Sequence, residues 1–236
     1  MLPGTVRSAL NHSVCVCNFQ PGSRPMYLPP QFAETDGTVL RALIAAHPLG
    51  LVISTSPTGL LANPVPFLVS FKDGGTTLRT HLSRANEQWR HISDGADVLV
   101  VFQGADSYVT PSWYASKAEH GKVVPTWNYA MVQARGQAKV HEGSEWLGQQ
   151  VGELTGRHEA NRPEPWRVDD APDAFVAAQL RGIIGIEIAV EQLTGKWKVS
   201  QNRPEADRRG VQAGLVGDGS DEMADLVGLY GGLSEQ

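Results

Sequence analysis

Apolar and polar residues follow two periods along the chain, and the periods separate candidate strands from candidate helices. Alternation with period two predicts strands in GLVIST (50–55), LLANPVPFLVSF (60–71), TTLRTHL (76–82), DVLVVFQ (97–103), VVPTWNYAMVQARGQAKV (123–140) and IIGIEIAVEQLTGKWKVSQN (183–202). We expect the last of these to be two strands joined by a bend. Pro64 and Pro66 place segment 60–71 at a sheet edge or a bulge, because proline cannot donate a ladder hydrogen bond.

Apolar residues spaced three and four apart predict helices in ETDGTVLRALIAAHP (34–48), ANEQWRHI (85–92), EWLGQQVGELTGRHE (145–159), PDAFVAAQL (172–180) and SDEMADLVGLY (220–230). Thr35 or Asp36 is expected to cap the first helix, and Ser220 the last. Together the elements predict a β-rich α+β fold, an antiparallel β-barrel of about six or seven strands decorated by helices. Residues 26–236 are expected to form this single domain.

Residues 1–25 show no sustained period and are expected to be a flexible N-terminal extension. MYLPPQF reads as a natural beginning, so translation starting at Met26 is an alternative that N-terminal sequencing would test. The chain's two cysteines, Cys15 and Cys17, lie in this stretch. Their spacing suits neither a zinc site nor a disulfide framework, and we expect free thiols.

The formal net charge of −5 argues against a general nucleic-acid binder, because such proteins neutralise phosphates with Lys and Arg. DNA binding stays possible only through a local patch, since Arg203, Arg208 and Arg209 lie close together in sequence. No apolar run approaches the roughly 18 residues that a membrane span needs. We therefore expect a cytoplasmic protein without a membrane partner.

The segment LRTHLSRAN (78–86) carries cationic groups at a strand-to-helix junction. In a strand, Arg79 and His81 share one face. Ser83 would then lie where the helix begins, beside free backbone N–H groups and next to Arg84, which suits a phosphate. The alternative is that Ser83 only caps the helix and that the arginines are surface charges.

A second candidate segment, SYVTPSWYASKAEHGKVVPTWNY (107–129), is dense in aromatic residues and contains lysines. Flat aromatic faces suit a planar ligand, and Asn128 could direct its amide at a ligand edge. The alternative is ordinary core packing. A third segment, TGKWKVSQNRP (194–204), repeats the combination of Trp, Lys and Asn more weakly. The sequence contains no GxSxG elbow, P-loop, HExxH or GxGxxG motif that would indicate a standard hydrolase, kinase or Rossmann protein.

Six ordered blocks resemble the PaiB-type FMN-binding negative transcriptional regulators: MYLPPQF, HPLGLVIST, NPVPFLV, THLSRANEQWR, YVTPSWYASKAEHGKVVPTWNY and LTGKWKVSQNRP. The resemblance runs from about Met26 to Gly210. It implies the FMN-binding split β-barrel, antiparallel and Greek-key-like, and a homodimer with FMN at the subunit interface. One departure is Ser83, where the family more often has alanine, which implies that backbone N–H groups there bind the phosphate without a hydroxyl.

The resemblance implies a cofactor site built from all three segments. The phosphate would contact Arg79, His81, Ser83 and Arg84, with Asn86 as a further contact or orienting residue. The second segment contributes Tyr108, Ser112, Trp113, Lys117, Val124, Thr126, Trp127 and Asn128. Lys198 and Gln201 come from the third and could reach the cofactor of the other subunit.

Three functions remain open on the sequence alone. The resemblance implies a regulatory flavoprotein, although no helix-turn-helix motif is present. The alternative is an FMN-dependent oxidoreductase that uses NAD(P)H and a small acceptor. Its lack of an acid–base signature is uninformative, because the flavin itself carries the redox chemistry. The third is a flavin-binding protein without catalysis.

Overall fold

The computed structural model of the protein describes residues 26–72, 75–92 and 95–233. The predicted extension 1–25, with its two cysteines, lies outside the described residues. None of the described helices is both long enough and apolar enough to cross a membrane.

Antiparallel strands form a single sheet. They are β1 (Ala33–Glu34), β2 (Leu49–Ser56), β3 (Gly59–Pro66), β4 (Leu68–Lys72), β5 (Gly75–Ser83), β6 (Ala96–Val109), β7 (Thr126–His141) and β8 (Ile183–Lys198). Their order is β3-β2-β6-β7-β8-β5-β4, with β1 paired to the far end of β8. Within the described ranges no ladder joins β3 to β4, so the sheet curls without closing. The predicted antiparallel split-barrel fold is confirmed, with eight strands instead of six or seven.

One of the extra strands arises because segment 60–71 is divided at Phe67. Its first part is β3 and its second part is β4, and these lie at opposite edges of the sheet. Phe67 is fully buried between them, and its N–H donates to the Pro48 carbonyl at 2.9 Å. The predicted edge position of Pro64 and Pro66 is confirmed, because β3 has only β2 as a ladder partner.

The bend predicted in segment 183–202 is wrong, because β8 is one continuous strand of 16 residues. A β-bulge accommodates its curvature: Arg135 of β7 lies opposite Gln192, whereas Gly136 lies opposite Val190. Gly136 must be glycine, since a Cβ there would lie 2.0 Å from the Ala189 carbonyl oxygen.

The helices are α1 (Gly37–Ala46), α2 (Gln88–His91), α3 (Ser116–His120), α4 (Ser144–Glu159), α5 (Asp173–Arg181), α6 (Glu205–Gly217) and α7 (Asp221–Gly231). Asp36 caps α1 as predicted, accepting a hydrogen bond from the Thr38 N–H at 2.7 Å. Ser220 occupies the N-cap position of α7, but its hydroxyl makes no cap bond and instead lies 3.4 Å from that of Ser107. The capping role predicted for Ser220 is therefore wrong.

The interior of the curled sheet is apolar, as the alternation requires. Inward residues of β5, β6 and β8 are almost fully buried, among them Leu78, Leu82, Val100, Phe102, Ile184, Ile186 and Ile188. Each contributes about 1.5–3 kcal/mol through the water-exposed apolar area that folding removes. Helix α1 packs on β6, β7 and β8, α4 contacts β4, β5 and β8, and α6 and α7 contact β6.

Candidate functional site

A pocket of about 450 Å³ opens at the end of β5, and we call it the β5 pocket. It is lined by Asn63, Pro64, Val65, His81, Leu82, Ser83, Asn86, Gln179, Gly182 and Ile183. Three predicted site residues, His81, Ser83 and Asn86, are therefore brought together on one wall. The opposite walls come from β3 and from the end of α5, which sequence reasoning did not identify.

The turn after β5 satisfies its own backbone N–H groups. The Ala85 N–H donates to the Ser83 hydroxyl at 3.3 Å, and the Asn86 N–H donates to the Ser83 carbonyl at 2.9 Å. The Arg84 N–H donates to the Gly182 carbonyl at 2.8 Å. Helix α2 begins only at Gln88. The predicted helix start at Ser83 with free N–H groups is therefore wrong, and side chains are the donors that the turn offers to the pocket.

A buried amide that sequence reasoning missed holds this turn in place. Gln88 is 1% exposed and its Nε2 donates to the Val52 carbonyl at 3.2 Å and the Ser54 hydroxyl at 3.1 Å. Its Oε1 accepts from the Asn63 amide at 2.8 Å. Gln88 thus ties the turn to β2 and β3. No local spacing signalled this role, because its partners lie more than twenty residues away in sequence.

The two predicted phosphate arginines lie beside the pocket and are paired with carboxylates. Arg79 is half-buried on the outer face of β5 and forms an ion pair with Glu153 of α4. Arg84 donates to Glu142 at 2.9 Å and to the Arg181 carbonyl at 3.1 Å. Neither arginine lines the pocket. A phosphate bound by either arginine would therefore have to displace Glu142 or Glu153 from its ion pair.

His81 shares the outer face of β5 with Arg79, as the alternation predicts. Its Nδ1 lies 2.9 Å from Oε1 of Gln150, a buried residue of α4. The contact orients the imidazole while leaving part of the ring in the pocket wall. His81 is thus the one titratable residue among those lining the β5 pocket.

At the other end of the sheet, Tyr108, Trp127 and Tyr129 form an aromatic surface. Tyr108 of β6 lies opposite Trp127 of β7, and their ring centroids are 6.0 Å apart in an edge-to-face arrangement. Trp127 is 54% exposed and Tyr108 46% exposed. Val124, also exposed, precedes this strand. Flat apolar faces of this size left in solvent suit a planar ligand or a protein partner.

Asn128 and Trp113 do not belong to this surface. Asn128 is 1% exposed and its Nδ2 donates to the Ser200 hydroxyl at 3.0 Å, so its amide is directed inward. Trp113 is wedged against α6, where a Cβ on Gly214 would lie 2.2 Å from its ring. These contacts occupy both side chains in the single chain, and the cofactor contacts predicted for Asn128 and Trp113 stay predictions.

The loop before β7 is held by an anchor that sequence reasoning missed. Asp207 of α6 is 1% exposed and accepts hydrogen bonds from the Ser116 N–H at 2.9 Å and hydroxyl at 2.7 Å. The predicted residues Ser112 and Lys117 lie exposed on this loop, where the lysine Nζ donates to the serine hydroxyl at 3.3 Å. This pair remains open to a ligand.

Lys198 ends β8 beneath the aromatic surface. Its ammonium donates to the Thr126 hydroxyl and to the Trp127 carbonyl. Burial lowers the pKa of Lys198, and the positive charges of Arg203 and Lys196 lower it further. Gln201, by contrast, closes the following turn, accepting from the Val199 N–H at 2.8 Å and donating to the Trp197 carbonyl.

The β5 pocket and the aromatic surface lie at opposite ends of β8. Ser83 pairs with Ile183, the first residue of that strand, whereas Tyr129 pairs with Lys198, the last. A strand of 16 residues has a contour length of about 50 Å at ~3.3 Å per residue. The β5 pocket is accordingly lined by His81, Ser83 and Asn86 but by none of the three aromatic residues.

Comparison with protein families identifies the chain. Residues 26–192 match the family described as "Putative FMN-binding domain". The "Protease synthase and sporulation protein PAI 2" of Bacillus subtilis is 31% identical over 205 residues, covering 86% of this chain and 96% of that protein. An "Uncharacterized protein" of Emericella nidulans is 33% identical over 250 residues, covering 89% and 100%.

Solved structures with a similar fold are more distant in sequence. The FAD and heme binding protein from Mycobacterium smegmatis superposes with a TM-score of 0.52 at 18% identity, covering 70% of this chain and 72% of its own. The flavocytochrome Anf3 from Azotobacter vinelandii gives 0.51 at 14% identity, covering 71% and 69%. These likenesses concern the fold, which agrees with the split barrel expected from the sequence.

The resemblance to PaiB-type proteins and the FMN cofactor predicted from the sequence are thereby confirmed. The family match covers the β5 turn, the aromatic segment and most of β8. The chain belongs to the FMN-binding domain family.

Proposed function

We propose that the protein acts as a homodimer in which each FMN is shared by two protomers. The phosphate lies in the β5 pocket of one protomer, and the isoalloxazine ring lies on the aromatic surface of its partner. The observation that carries this proposal is the separation of the two groups along β8: Ser83 pairs with the first residue of that strand and Tyr129 with the last.

The outer face of the sheet offers the apolar area that a dimer would bury. Leu49 and Leu51 of β2 are 63% and 36% exposed, and they stand in the same sheet as Tyr108 and Trp127. Large apolar side chains left exposed on a sheet are typical of interaction surfaces. A second copy of the chain would supply the missing half of each site and cover this face.

The donors at the β5 pocket fit a phosphate. A hydroxyl from Ser83, an amide from Asn86 and the imidazole of His81 line the wall, and Arg84 lies beside them. Arg84 and Glu142 have side chains 40% and 62% exposed, so their ion pair contributes at most about 1 kcal/mol and exchanges readily. A guanidinium can then bind the phosphate through charge-assisted hydrogen bonds.

FMN supplies one- and two-electron chemistry when bound. The protein contributes the surroundings of the ring: Trp127 and Tyr108 exclude water from one face, and the Lys198 ammonium places positive charge beneath them. Positive charge near the ring stabilises negative charge on a reduced flavin. We propose an electron-transferring flavoprotein, with the regulatory role of PaiB-type proteins as the alternative.

Direct repression through DNA has weak support. Arg209 is paired with Glu205 at 2.9 Å, and Arg208 donates to the Arg203 carbonyl at 2.9 Å. Arg208 and Arg209 are thus already bound to partners within or just before their own helix. A gel shift at low salt would decide: retention of promoter DNA would favour the regulatory role. Turnover of NADPH above that of free FMN would favour the oxidoreductase.

Subunit complementation tests the shared site. We expect Arg84→Ala to lower FMN affinity roughly ten- to hundredfold through loss of about 1.5–3 kcal/mol, and Trp127→Ala to impair binding at the other half. A heterodimer of the two variants carries one fully native site. FMN binding should therefore reappear, measured by flavin fluorescence, after the variants are unfolded together and refolded.

Refolding each variant alone is the matched control and should restore nothing. If the mixture also recovers no tight site although heterodimers form, each FMN lies within a single chain and the proposal fails. A monomer in the FMN-loaded state, measured by light scattering, would reject it as well.

A further inference from the structure

Positive charge accumulates at the C-terminal end of β8 without a paired carboxylate. Lys196 and Lys198 project from one face of the strand, because they are two residues apart. Arg203 follows the next turn, and its guanidinium carbon lies 4.6 Å from the centroid of the Tyr114 ring. Within the part of the chain that the structure describes, none of the three has an ion-pair partner within 4.0 Å.

The nearby acids are committed to other donors. Both carboxylate oxygens of Asp207 accept from Ser116. Asp106 of β6 accepts a hydrogen bond from the Gln103 amide at 2.9 Å, and strand β7 lies between Asp106 and Lys198. Within the described residues neither carboxylate forms an ion pair with the three cations, so no carboxylate occupies their hydrogen-bond donors.

Neutral acceptors hold the two ammonium groups in place. Lys196 is 8% exposed and donates to the Tyr27 carbonyl at 2.9 Å, and its Nζ lies 5.3 and 5.6 Å from the rings of Tyr27 and Tyr129. Lys198 is held by Thr126 and by the Trp127 carbonyl. The charges are fixed before any ligand arrives. Burial lowers the pKa of Lys198, and repulsion from Arg203 and Lys196 lowers it further. An anion would relieve that repulsion.

We propose that Lys196, Lys198 and Arg203 bind the phosphate of a nucleotide other than FMN. Its planar ring stacks on the open face of the flavin ring that the proposed function places on the adjoining aromatic surface. Charge and stacking together select a planar, phosphate-bearing molecule over a neutral one. This inference rests on the proposed function, because the phosphate of FMN is assigned there to the β5 pocket at the opposite end of β8.

Titration calorimetry of the FMN-loaded protein with NADP⁺ tests the site without requiring turnover. We expect NADP⁺ to bind and nicotinamide riboside, which has no phosphate, to bind at least about tenfold more weakly. The double variant Lys198→Gln/Arg203→Gln should weaken NADP⁺ binding by about tenfold or more and leave riboside binding unchanged. The single variant Lys198→Gln should also weaken NADP⁺ binding. Lys198→Arg, which keeps the charge, should retain most of the native affinity.

Lys122→Gln is the matched control, since Lys122 is an exposed lysine in the neighbouring loop. An equal loss there would mean a general charge effect and would overturn the proposal. So would failure of the native protein to bind NADP⁺. FMN affinity is also measured for each variant. If the double variant binds both NADP⁺ and FMN as the native protein does, this inference is overturned and the proposed function is unaffected. A selective loss of FMN over riboflavin would assign the cations to the cofactor phosphate and overturn the β5 placement too.

Discussion

The two ends of β8 treat positive charge in opposite ways. At the β5 pocket, Arg79 and Arg84 are paired with carboxylates of α4 or its preceding turn, Glu153 and Glu142. At the aromatic surface, the cations are held by carbonyls, hydroxyls and rings instead. An anion entering the first region must displace a carboxylate, whereas one entering the second neutralises charges that already repel. We therefore expect the β5 pocket to discriminate between anions and the aromatic end to attract anions in general.

The two regions also differ in what fixes their geometry. The β5 pocket depends on the sheet itself, through the buried Gln88 amide and its partners on β2 and β3. The aromatic region depends on a helix outside the sheet, through Asp207 and the contact of Trp113 with Gly214. Changes in α6 should therefore damage the aromatic region alone, and changes under α4 the β5 side alone.

The largest effect is expected for Asp207→Ala. The Ser116 N–H and hydroxyl would lose their buried acceptor, at about 1–3 kcal/mol for each unsatisfied group. We expect the free energy of unfolding in urea to fall by roughly 2–5 kcal/mol. Trypsin should also cut faster at Lys117, while cleavage at Arg84 stays unchanged.

Asp225→Ala on the exposed side of α7 is the matched control and should alter stability by less than about 0.5 kcal/mol. If Asp207→Ala destabilises no more than this control, the buried carboxylate does not anchor the loop. Equal acceleration of cleavage at both sites would mean that the two regions unfold as one.

The next largest effect is expected for Gly185→Ala on the β5 side. A Cβ there would lie 2.2 Å from the Trp146 ring, so α4 must shift, at a cost of about 1–3 kcal/mol. Because Gln150 of α4 orients His81, FMN affinity should fall as well. Urea unfolding and a flavin titration measure the two effects.

Gly152→Ala in the same helix is the control, because nothing lies within 4 Å of the added Cβ. It should stabilise the protein by about 0.5–1 kcal/mol, since alanine loses less backbone entropy than glycine. If both substitutions destabilise the protein, the loss of stability cannot be attributed to the contact between residue 185 and Trp146.

Local pattern sufficed for the features that depend on neighbours in sequence. The alternation in β5 placed Leu78 and Leu82 inside and Arg79 and His81 outside, and the cap predicted at Thr35 or Asp36 is made by Asp36. The same rule would have directed Asn128 inward, since it follows the outward Trp127.

Features that depend on distant residues could not be predicted. The pairing of Arg79 with Glu153 joins positions 74 residues apart, and that of Ser116 with Asp207 joins positions 91 apart. The division of segment 60–71 at Phe67 depends on a corner that tertiary packing creates. Pro66 and the consecutive apolar residues Phe67, Leu68 and Val69 do interrupt the alternation there, but this mark alone indicates an edge or a bulge and not a change of sheet edge.

A smaller effect is expected when the carboxylate competing for Arg84 is removed. Glu142→Gln should raise FMN affinity by up to about fivefold, because an exposed ion pair contributes no more than about 1 kcal/mol. Stability should hardly change. Glu145→Gln, an exposed acid on the first turn of α4 outside the described ion pairs, should leave affinity unchanged. Equal gains would point to a long-range effect of net charge, and no gain would place the phosphate away from Arg84.

The smallest effect concerns the charge repulsion at the aromatic end. Burial lowers the pKa of Lys198 and Arg203 lowers it further, so Arg203→Gln should raise that pKa part of the way towards its ordinary value, which NMR of the lysine side chains would measure. The folded pKa lies below the unfolded one, so the unfolded state binds more protons between the two values. Stability therefore rises with pH through that alkaline window, and the variant should narrow the window. Arg209→Gln, whose guanidinium is neutralised by Glu205, should leave the pKa of Lys198 where it is. If the pKa of Lys198 is the same in both variants, Arg203 does not repel Lys198. The aromatic end would then differ from the β5 pocket in shape and not in charge repulsion.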